Sequence, residues 1–501
     1  MNSKKLLANK KPFLFITGPA GSGKTFIVRE AINLNPKWGV LTATTGVAAL
    51  VLGTNVLGAD VKTIHSTLGF FDVESLRNSR DKGTLRKNLK RLRKKFKRII
   101  IDESSMLHSE VFEILVTACD EVGMGIVLTG DFLQLLAVQP DPKPKGYIPW
   151  LFQTPAWKKF KDHVIRLDTQ YRHTNENFLK ALNLLRAGKG EEAIPFLKKA
   201  GVRFVPGGDN YPLDLNFKGT TLVGTNNMCD KINAACYAKI HSDEHTYTTW
   251  RNGVWTKKDW QEWGDIPGSV SLKIGTRAMV LRNLYGQMVL DPNKTVDTDA
   301  LDIQPVLFNP DGSLGFVKKE KKNGEGQISE PGSDEADENK GEIISHALLQ
   351  ANGDTGVIES IGGDEFGLTF VEVRRDDGAL IRVEMFTADN GKYHTEIGDK
   401  GQRIRITDEQ PTAWVTYLPL KRAWAVTTHK AQGLTISHPT RIVLEDFFRR
   451  PAMIYVACSR VKNPTDLTIV GADFPVNGKP WLHWLCKTDP AVSEWIGGNY
   501  E

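Results

Sequence analysis

Short runs of consecutive apolar residues alternate with amphipathic stretches over the first 140 positions. Phe13-Leu14-Phe15-Ile16, Val40-Leu41-Thr42, Ile99-Ile100-Ile101 and Ile126-Val127-Leu128-Thr129 each read as a buried strand. Phe26–Asn33 reads as a helix entered from a glycine-rich loop. Strands alternating with helices predict a parallel sheet covered on both faces, an α/β class. Leu85, Leu89, Leu92 and Phe96 recur at helical spacing, with Lys and Arg filling the rest of that surface. A second α/β text occupies about 165–240 and resumes near 415–475, where Thr221–Val223, Arg441–Leu444 and Leu467–Val470 are strand-like.

The intervening text has a different period. Short β-type runs bounded by Gly, Asp and Asn, such as Gly353–Ile358 and Leu368–Val373, predict a β-rich insertion. Within it, about 320–342 is acidic and rich in Gly, Ser and Pro, with almost nothing to bury, which predicts a disordered loop. The expected division is 1–165, a first parallel-sheet domain carrying an extra element at about 66–98. Next come 166–245, the first part of a second such domain, then 246–410, the insertion, and 411–501, the remainder of the second domain.

Composition narrows the class. With 501 residues, 40% of them hydrophobic and 25% charged, the chain is neither fibrous nor wholly disordered. No apolar run approaches the roughly 18–20 residues that span a bilayer, and the apolar run near the N-terminus is too short for a secretory segment. No membrane partner and a cytoplasmic setting are expected. Five scattered cysteines, none in a C-x-x-C pair, argue against a disulfide framework or structural zinc. The net charge of +6 conceals a basic cluster, Arg86–Arg98, that suggests a polyanionic partner.

Gly18-Pro19-Ala20-Gly21-Ser22-Gly23-Lys24-Thr25 matches G-x-x-x-x-G-K-[ST] between a predicted strand and a predicted helix. Its glycines let backbone N–H groups turn around phosphate oxygens; Lys24 would neutralise the β- and γ-phosphates, and Thr25 would ligate Mg²⁺. Asp102 and Glu103 follow the Ile99–Ile101 strand and should emerge at the same sheet edge, Asp102 toward Mg²⁺ and Glu103 toward the attacking water. Gln134, after the next strand, suits a sensor of the γ-phosphate, since a neutral amide reports charge without cancelling it. Together these residues predict a nucleotide hydrolase with Mg²⁺ as its metal.

With TATTGVAA at Thr42–Ala49, TIHS at Thr63–Ser66, DESSM at Asp102–Met106 and GDFLQL at Gly130–Leu135, the series resembles superfamily 1 helicases. Within them it is similar to the group of RecD-, Dda- and Pif-type enzymes. The resemblance continues through LDTQYR at Leu167–Arg172, LVGTNN at Leu222–Asn227 and LKIGTRAMVLRN at Leu272–Asn283. It ends with NGDTGV at Asn352–Val357, TTHKAQGLT at Thr427–Thr435 and YVACSRV at Tyr455–Val461. It implies two RecA-like domains, a small wedge element and a barrel-like insertion. It also implies ATP-dependent 5′→3′ movement on single-stranded DNA, unwinding of forked duplex, service in replication, recombination or repair, and a monomer. By matching position, Arg172 and Arg460 are implied as arginines reaching the ATP from the second domain, and Gly433 as a neighbour of the nucleotide. Thr44, Thr45, Gly46 and His65 are implied as DNA contacts of the first domain, and Thr428, His429 and Lys430 as those of the second. Phe70 and Phe71 are candidates for the wedge tip. The chain departs from the group in having no glutamine segment before the phosphate loop, which leaves adenine recognition unsupported. A short interval from Glu103 to Gly130 points toward the Dda/RecD side, with a phage source and a host cytoplasm as one setting. Two other readings are an ATPase-inactive DNA-binding component of a replisome and an RNA-directed helicase. The complete catalytic set argues against the first, and the group resemblance against the second.

Overall fold

Strands buried on both faces explain the uninterrupted apolar runs. In the computed structural model β1 (Phe13–Thr17), β4 (Arg98–Asp102) and β5 (Gly125–Gly130) are buried at every position. With β2 (Val40–Ala43), β3 (Lys62–Thr63) and β6 (Val164–Arg166) they form a six-stranded parallel sheet in the order β3-β2-β4-β5-β1-β6. The structure describes residues 3–53, 56, 61–137, 147–207, 213–256, 259–260, 263, 266–281, 284–289, 343–350, 355–363, 369–376, 378–397, 403–447, 450–471 and 475–500. The acidic segment expected to be a disordered loop lies outside the described residues.

Helices cover this sheet: α1 (Ser3–Ala8), α2 (Lys24–Leu34), α3 (Gly46–Gly53), the short α4 (Ile64–Leu68), α5 (Val73–Asp81), α6 (Thr84–Arg93) and α7 (Ser109–Glu121). Register aligns the strand ends, with Thr17 opposite Gly130 and Ala43 opposite Asp102. The residues following β1, β2, β4 and β5 therefore leave the sheet along one edge.

A second parallel sheet is built from β7 (Arg203–Val205), β8 (Thr220–Val223), β9 (Ala425–Thr427), β10 (Thr440–Val443) and β11 (Leu467–Val470), ordered β9-β8-β10-β11-β7. Around it lie α8 (Glu176–Arg186), α9 (Gly190–Lys199), α10 (Asn226–Ala238), α11 (Met453–Arg460) and α12 (Trp481–Leu485). The insertion between β8 and β9 is antiparallel. Its largest sheet runs Leu380–Glu384, Thr369–Arg375, Thr355–Gly363, Arg277–Val280 and Leu420–Arg422, around a core that includes Leu272, Ile358, Val371 and Val383. The last of these strands lies beyond residue 410, because Ala278–Val280 pairs with Leu420–Arg422.

Two expectations are corrected by packing. The C-terminal residues do not all stay with the second sheet. Helix α13 (Pro490–Tyr500) crosses to the first, where Val492 is fully buried. The Trp495 ring meets Phe132 edge-on at 5.2 Å and stacks on Phe152 at 5.3 Å. The pattern offered no warning, since an apolar helix face does not say which core receives it. In the wedge region, Phe70 is 1% exposed and only Phe71 is accessible, at 38%. Gly69, in the left-handed region at φ 77°, caps α4 and turns the chain inward, so Phe70 packs on the His65 ring at 4.7 Å. In α6, Leu85 and Leu89 are buried. No described helix is long and apolar enough to cross a membrane.

Candidate active site

The phosphate loop is shaped by glycines where no other residue fits. Gly21 has φ +76°, and a Cβ there would lie 2.5 Å from the Arg172 Cβ; a Cβ on Gly18 would lie 2.3 Å from the Leu167 carbonyl oxygen. The 167–172 segment is thus pressed onto the loop, and two backbone bonds of 2.8 Å hold it, Leu167 N–H to the Thr17 oxygen and Tyr171 N–H to the Gly21 oxygen. Lys24, the first residue of α2, donates to the carbonyl oxygens of Gly18 at 2.8 Å and Pro19 at 3.0 Å. Burial pushes its ammonium below the usual lysine range, with Asp131, Glu103 and Asp102 opposing.

Thr25 Oγ1 donates to Asp102 Oδ2 at 2.8 Å. The other Asp102 oxygen accepts the Thr129 hydroxyl and the Glu103 N–H. Glu103 follows in the left-handed region, φ 53°, which costs a non-glycine residue roughly 1 kcal/mol or more. Burial and the adjacent Asp102 raise its carboxyl above the ordinary carboxylate range, against Arg460 and Lys24. Gln134 is 3% exposed, and its Oε1 has no hydrogen-bond partner among the described residues.

Two guanidinium groups meet at this edge, Arg172 on the segment bonded to the phosphate loop and Arg460 on a helix of the second sheet. Arg460, closing α11, is 2% exposed; it donates to the Val456 oxygen at 3.2 Å and the Ser459 hydroxyl at 2.9 Å. Arg172 donates to the Ser459 carbonyl oxygen at 2.9 Å. Among the described residues neither has a carboxylate oxygen within salt-bridge distance. Burial, and then Arg460, push Arg172 down to about 10, and burial also lowers Arg460. A buried and a half-buried cation side by side form a receptor for an anion.

The candidate DNA residues divide. Thr44 Oγ1 donates to the Glu103 carbonyl oxygen at 3.0 Å, joining this loop to the acid pair. Thr45 Oγ1 accepts the Ala48 N–H at the start of α3, and Gly46 is exposed. His65 is half-buried, with burial lowering its imidazole pKa. Thr428 is fully buried and spends both its N–H and its hydroxyl on the Val223 oxygen. His429 is half-buried and Lys430 exposed, leaving them as the accessible members of that group. Gly433 has φ +87°, and a Cβ there would meet Ala48 of α3 at 3.9 Å, so it faces the first half.

Several participants escaped the motif reading. Gln432, 3% exposed, donates to Glu103 Oε2 at 3.5 Å, and its own Oε1 has no partner among the described residues. Tyr455 accepts the Ala20 N–H at 2.8 Å, and Arg186 pairs with Asp131. Both Gln432 and Tyr455 lie inside recognised motifs, so their position was available as a signal; Arg186 carried none.

A phosphate loop, a carboxylate pair and two arginines converging on one sheet edge are the arrangement that the resemblance to superfamily 1 helicases implied. Comparison with known proteins agrees. The family described as AAA domain matches residues 3–205. The "ATP-dependent DNA helicase PIF7" of Trypanosoma brucei brucei is 24% identical over 93% of the chain and 45% of its own length. The "ATP-dependent DNA helicase PIF1" of Emericella nidulans is 26% identical over 94% of the chain and 60% of its own length. The chain therefore spans about half the length of these curated relatives. A crystal structure of Pif1 helicase from Candida albicans superposes with a TM-score of 0.65 at 19% identity, covering 99% of this chain and 97% of that one. In fold and motif order the chain is similar to superfamily 1 helicases of the Pif1 type, where the short Glu103–Gly130 interval had pointed toward the Dda/RecD side.

Proposed function

We propose that this chain is an ATP-dependent translocase that moves 5′→3′ on single-stranded DNA as a monomer and unwinds forked duplex DNA. The observation that carries the reading is the pair of guanidinium groups, half-buried Arg172 and buried Arg460, set without a salt-bridged carboxylate among the described residues against the edge that holds Lys24 and Glu103. The names of the curated relatives, ATP-dependent DNA helicases, support the activity. The polarity rests on resemblance to the RecD/Dda/Pif-type group.

The residues divide the chemistry among them. Lys24 exchanges its carbonyl partners for phosphate oxygens, and the backbone N–H groups of the loop take the rest of that charge. The hydroxyl of Thr25 and the carboxylate of Asp102 are hard oxygen donors at a helix start and a strand end, a set that fits Mg²⁺. When bound there, Mg²⁺ would neutralise charge on the transferring phosphate. Glu103, raised toward neutrality by burial, accepts the proton of the attacking water, and the free amide oxygens of Gln134 and Gln432 help to hold that water. Arg172 and Arg460 stabilise the γ-phosphate's developing charge only when the two sheets close together.

Closure is transmitted to DNA through two loops. Thr44–Gly46 is bonded to the carbonyl of Glu103, and Thr428–Lys430 leads into Gln432, which reaches the carboxylate of the same glutamate. Strand contacts on the second half fall to His429 and Lys430, and His65 offers a ring for base stacking. Phe71 stands at the wedge.

The test uses forked substrates with either a 5′ or a 3′ single-stranded tail, with ATP and Mg²⁺. Unwinding is expected from the 5′ tail alone. Unwinding only from the 3′ tail overturns the polarity, and tight DNA binding with neither hydrolysis nor unwinding overturns the activity.

A further inference from the structure

Asp131 is the first residue past β5, and β5 ends beside β1, with Gly130 opposite Thr17. The position beside Asp131 on the neighbouring chain is thus Gly18, where the phosphate loop begins. Asp131 is 1% exposed. Its Oδ1 accepts Arg186 Nη2 at 2.8 Å and the Leu133 N–H at 3.1 Å, and its Oδ2 accepts Arg186 Nε at 3.2 Å. Arg186 is the last residue of α8, whose Phe178, Leu182 and Leu185 belong to the core of the second sheet. A two-pronged, largely buried ion pair therefore crosses from the first sheet's edge to the second sheet's helices. A second crossing lies close by, the 2.8 Å bond from the Ala20 N–H to the Tyr455 hydroxyl oxygen on α11. No step of the hydrolysis described above uses either one.

We propose that Arg186 is a positioning residue for the nucleotide site, acting through Asp131, and that this pair carries occupancy of the phosphate loop to the second sheet. The inference rests on the reading of the chain as a nucleotide-driven DNA translocase. Its logic is that one buried carboxylate answers two cations. As the loop stands, the register sets Asp131 beside Gly18, whose carbonyl oxygen holds the Lys24 ammonium at 2.8 Å. Once phosphate oxygens draw the Lys24 ammonium, Arg186 becomes the counter-ion on which Asp131 depends. A buried carboxylate left without a counter-ion is costly, so α8 is held to the β5 edge. Helix α8 packs on α11, which carries Tyr455 and Arg460, so the same event seats the arginine that faces the γ-phosphate. By linkage, whatever tightens this contact on nucleotide binding must also tighten nucleotide binding on closure. The planar fork of a guanidinium fits the two oxygens of Asp131; a lysine would supply charge without that geometry.

The experiment compares the full chain with Arg186→Gln, Arg186→Lys, Asp131→Asn and the double variant Asp131→Asn/Arg186→Gln. Affinity for a single-stranded oligonucleotide is measured alone, with ADP and with a non-hydrolysable ATP analogue, alongside KM and kcat for ATP and the thermal midpoint. In the unmodified chain the nucleotide is expected to shift DNA affinity. Arg186→Gln should lose at least about fivefold of that shift, the lower end of usual coupling between sites, with KM for ATP raised more than kcat is lowered. Arg186→Lys should recover part of it, and the double variant should be no worse than the poorer single one. A lowered thermal midpoint with the nucleotide-dependent shift intact in both Arg186 variants would overturn the inference and leave the helicase reading standing. Absence of any shift in the unmodified chain would overturn both.

Discussion

The two faces of the cleft are finished to different degrees. On the phosphate-loop face the charged groups are bonded within their own sheet, while Gln134 Oε1 and the Ser22 and Ser104 hydroxyls are left without a partner among the described residues. Thr25 and Thr129 bond to Asp102, Lys24 to two loop carbonyls, and Thr44 to the Glu103 backbone. On the opposite face Arg460, and Arg172 reaching to it from the segment bonded to the loop, donate only to carbonyl and hydroxyl oxygens. Hydrogen bonds of that kind direct a guanidinium without neutralising it, and burying charge without a counter-ion is costly. One face is electrostatically closed as folded; on the other Glu103 offsets the arginine charge without a direct bond, and an incoming anion completes it. The unbalanced charge lowers the stability of the protein alone and becomes attraction when phosphate enters the gap.

The sharpest way to break that comparison is Arg460→Met, which keeps the length and removes the charge. Turnover of ATP in the presence of single-stranded DNA should fall by about 10³-fold, the low end of what an arginine finger contributes. The thermal midpoint should hold or rise, because a buried uncompensated cation has gone. On the other face Asp102→Asn should lower the midpoint, since a carboxylate acceptor for Thr25, Thr129 and the Glu103 N–H is replaced by a weaker amide. Phosphate-release kinetics and thermal melts of the two variants measure both halves. A midpoint that falls equally in both would show that the arginine face is as balanced as the acid face.

Glu103→Gln is the next step down, with an expected loss of about 10²-fold in turnover and DNA binding retained. It also carries a pH signature. The fold raises the Glu103 pKa, so the native state favours the protonated carboxyl. That contribution is fully present below the unfolded value and is lost as pH rises through the raised native one. Above the ordinary carboxylate range Glu103 therefore works against folding, and Glu103→Gln should melt at a higher temperature than the parent. The difference should vanish below the ordinary carboxylate range. Melting curves across acid and neutral pH check the sign; an advantage growing toward acid would contradict it.

What could be read before folding was whatever the chain writes in one stretch. β1 followed by the glycine loop, and β4 followed by Asp102-Glu103, are local texts, and the register that sets Thr17 beside Gly130 delivers both to one edge. Crossings could not be read. Ala20 and Tyr455 are separated by 435 positions, and nothing in an apolar helix such as α13 states that Trp495 will seat on Phe132 rather than on the second core. Asp131 lies inside the GDFLQL motif, but nothing in the sequence pointed to Arg186, 55 positions away, as its partner. Phe70 showed the same limit at shorter range, because the left-handed turn at Gly69 decides which of two adjacent rings faces inward. Side-chain type identified candidates, and only tertiary placement decided which atoms remained available.

The smallest expected effect tests that distinction on the loop Thr428–Lys430. A motif reading treats the three as one strand-gripping unit. The structure separates them, since the Thr428 hydroxyl already belongs to the Val223 oxygen and Lys430 is exposed. Thr428→Val should therefore leave the affinity for single-stranded DNA unchanged at every salt concentration. It should cost about 1 kcal/mol of stability, the usual net worth of one hydrogen bond, and the Thr428 N–H remains to satisfy Val223. Lys430→Ala should do the reverse, holding stability while lowering the slope of log affinity against log salt by about 0.7, the share of one phosphate contact on a single strand. Salt titrations of oligonucleotide binding and denaturant melts, run on both variants, give four numbers. If Thr428→Val weakens DNA binding while its stability is unchanged, the hydroxyl leaves Val223 when DNA arrives, and the buried bond is a resting contact of the loop rather than part of its frame.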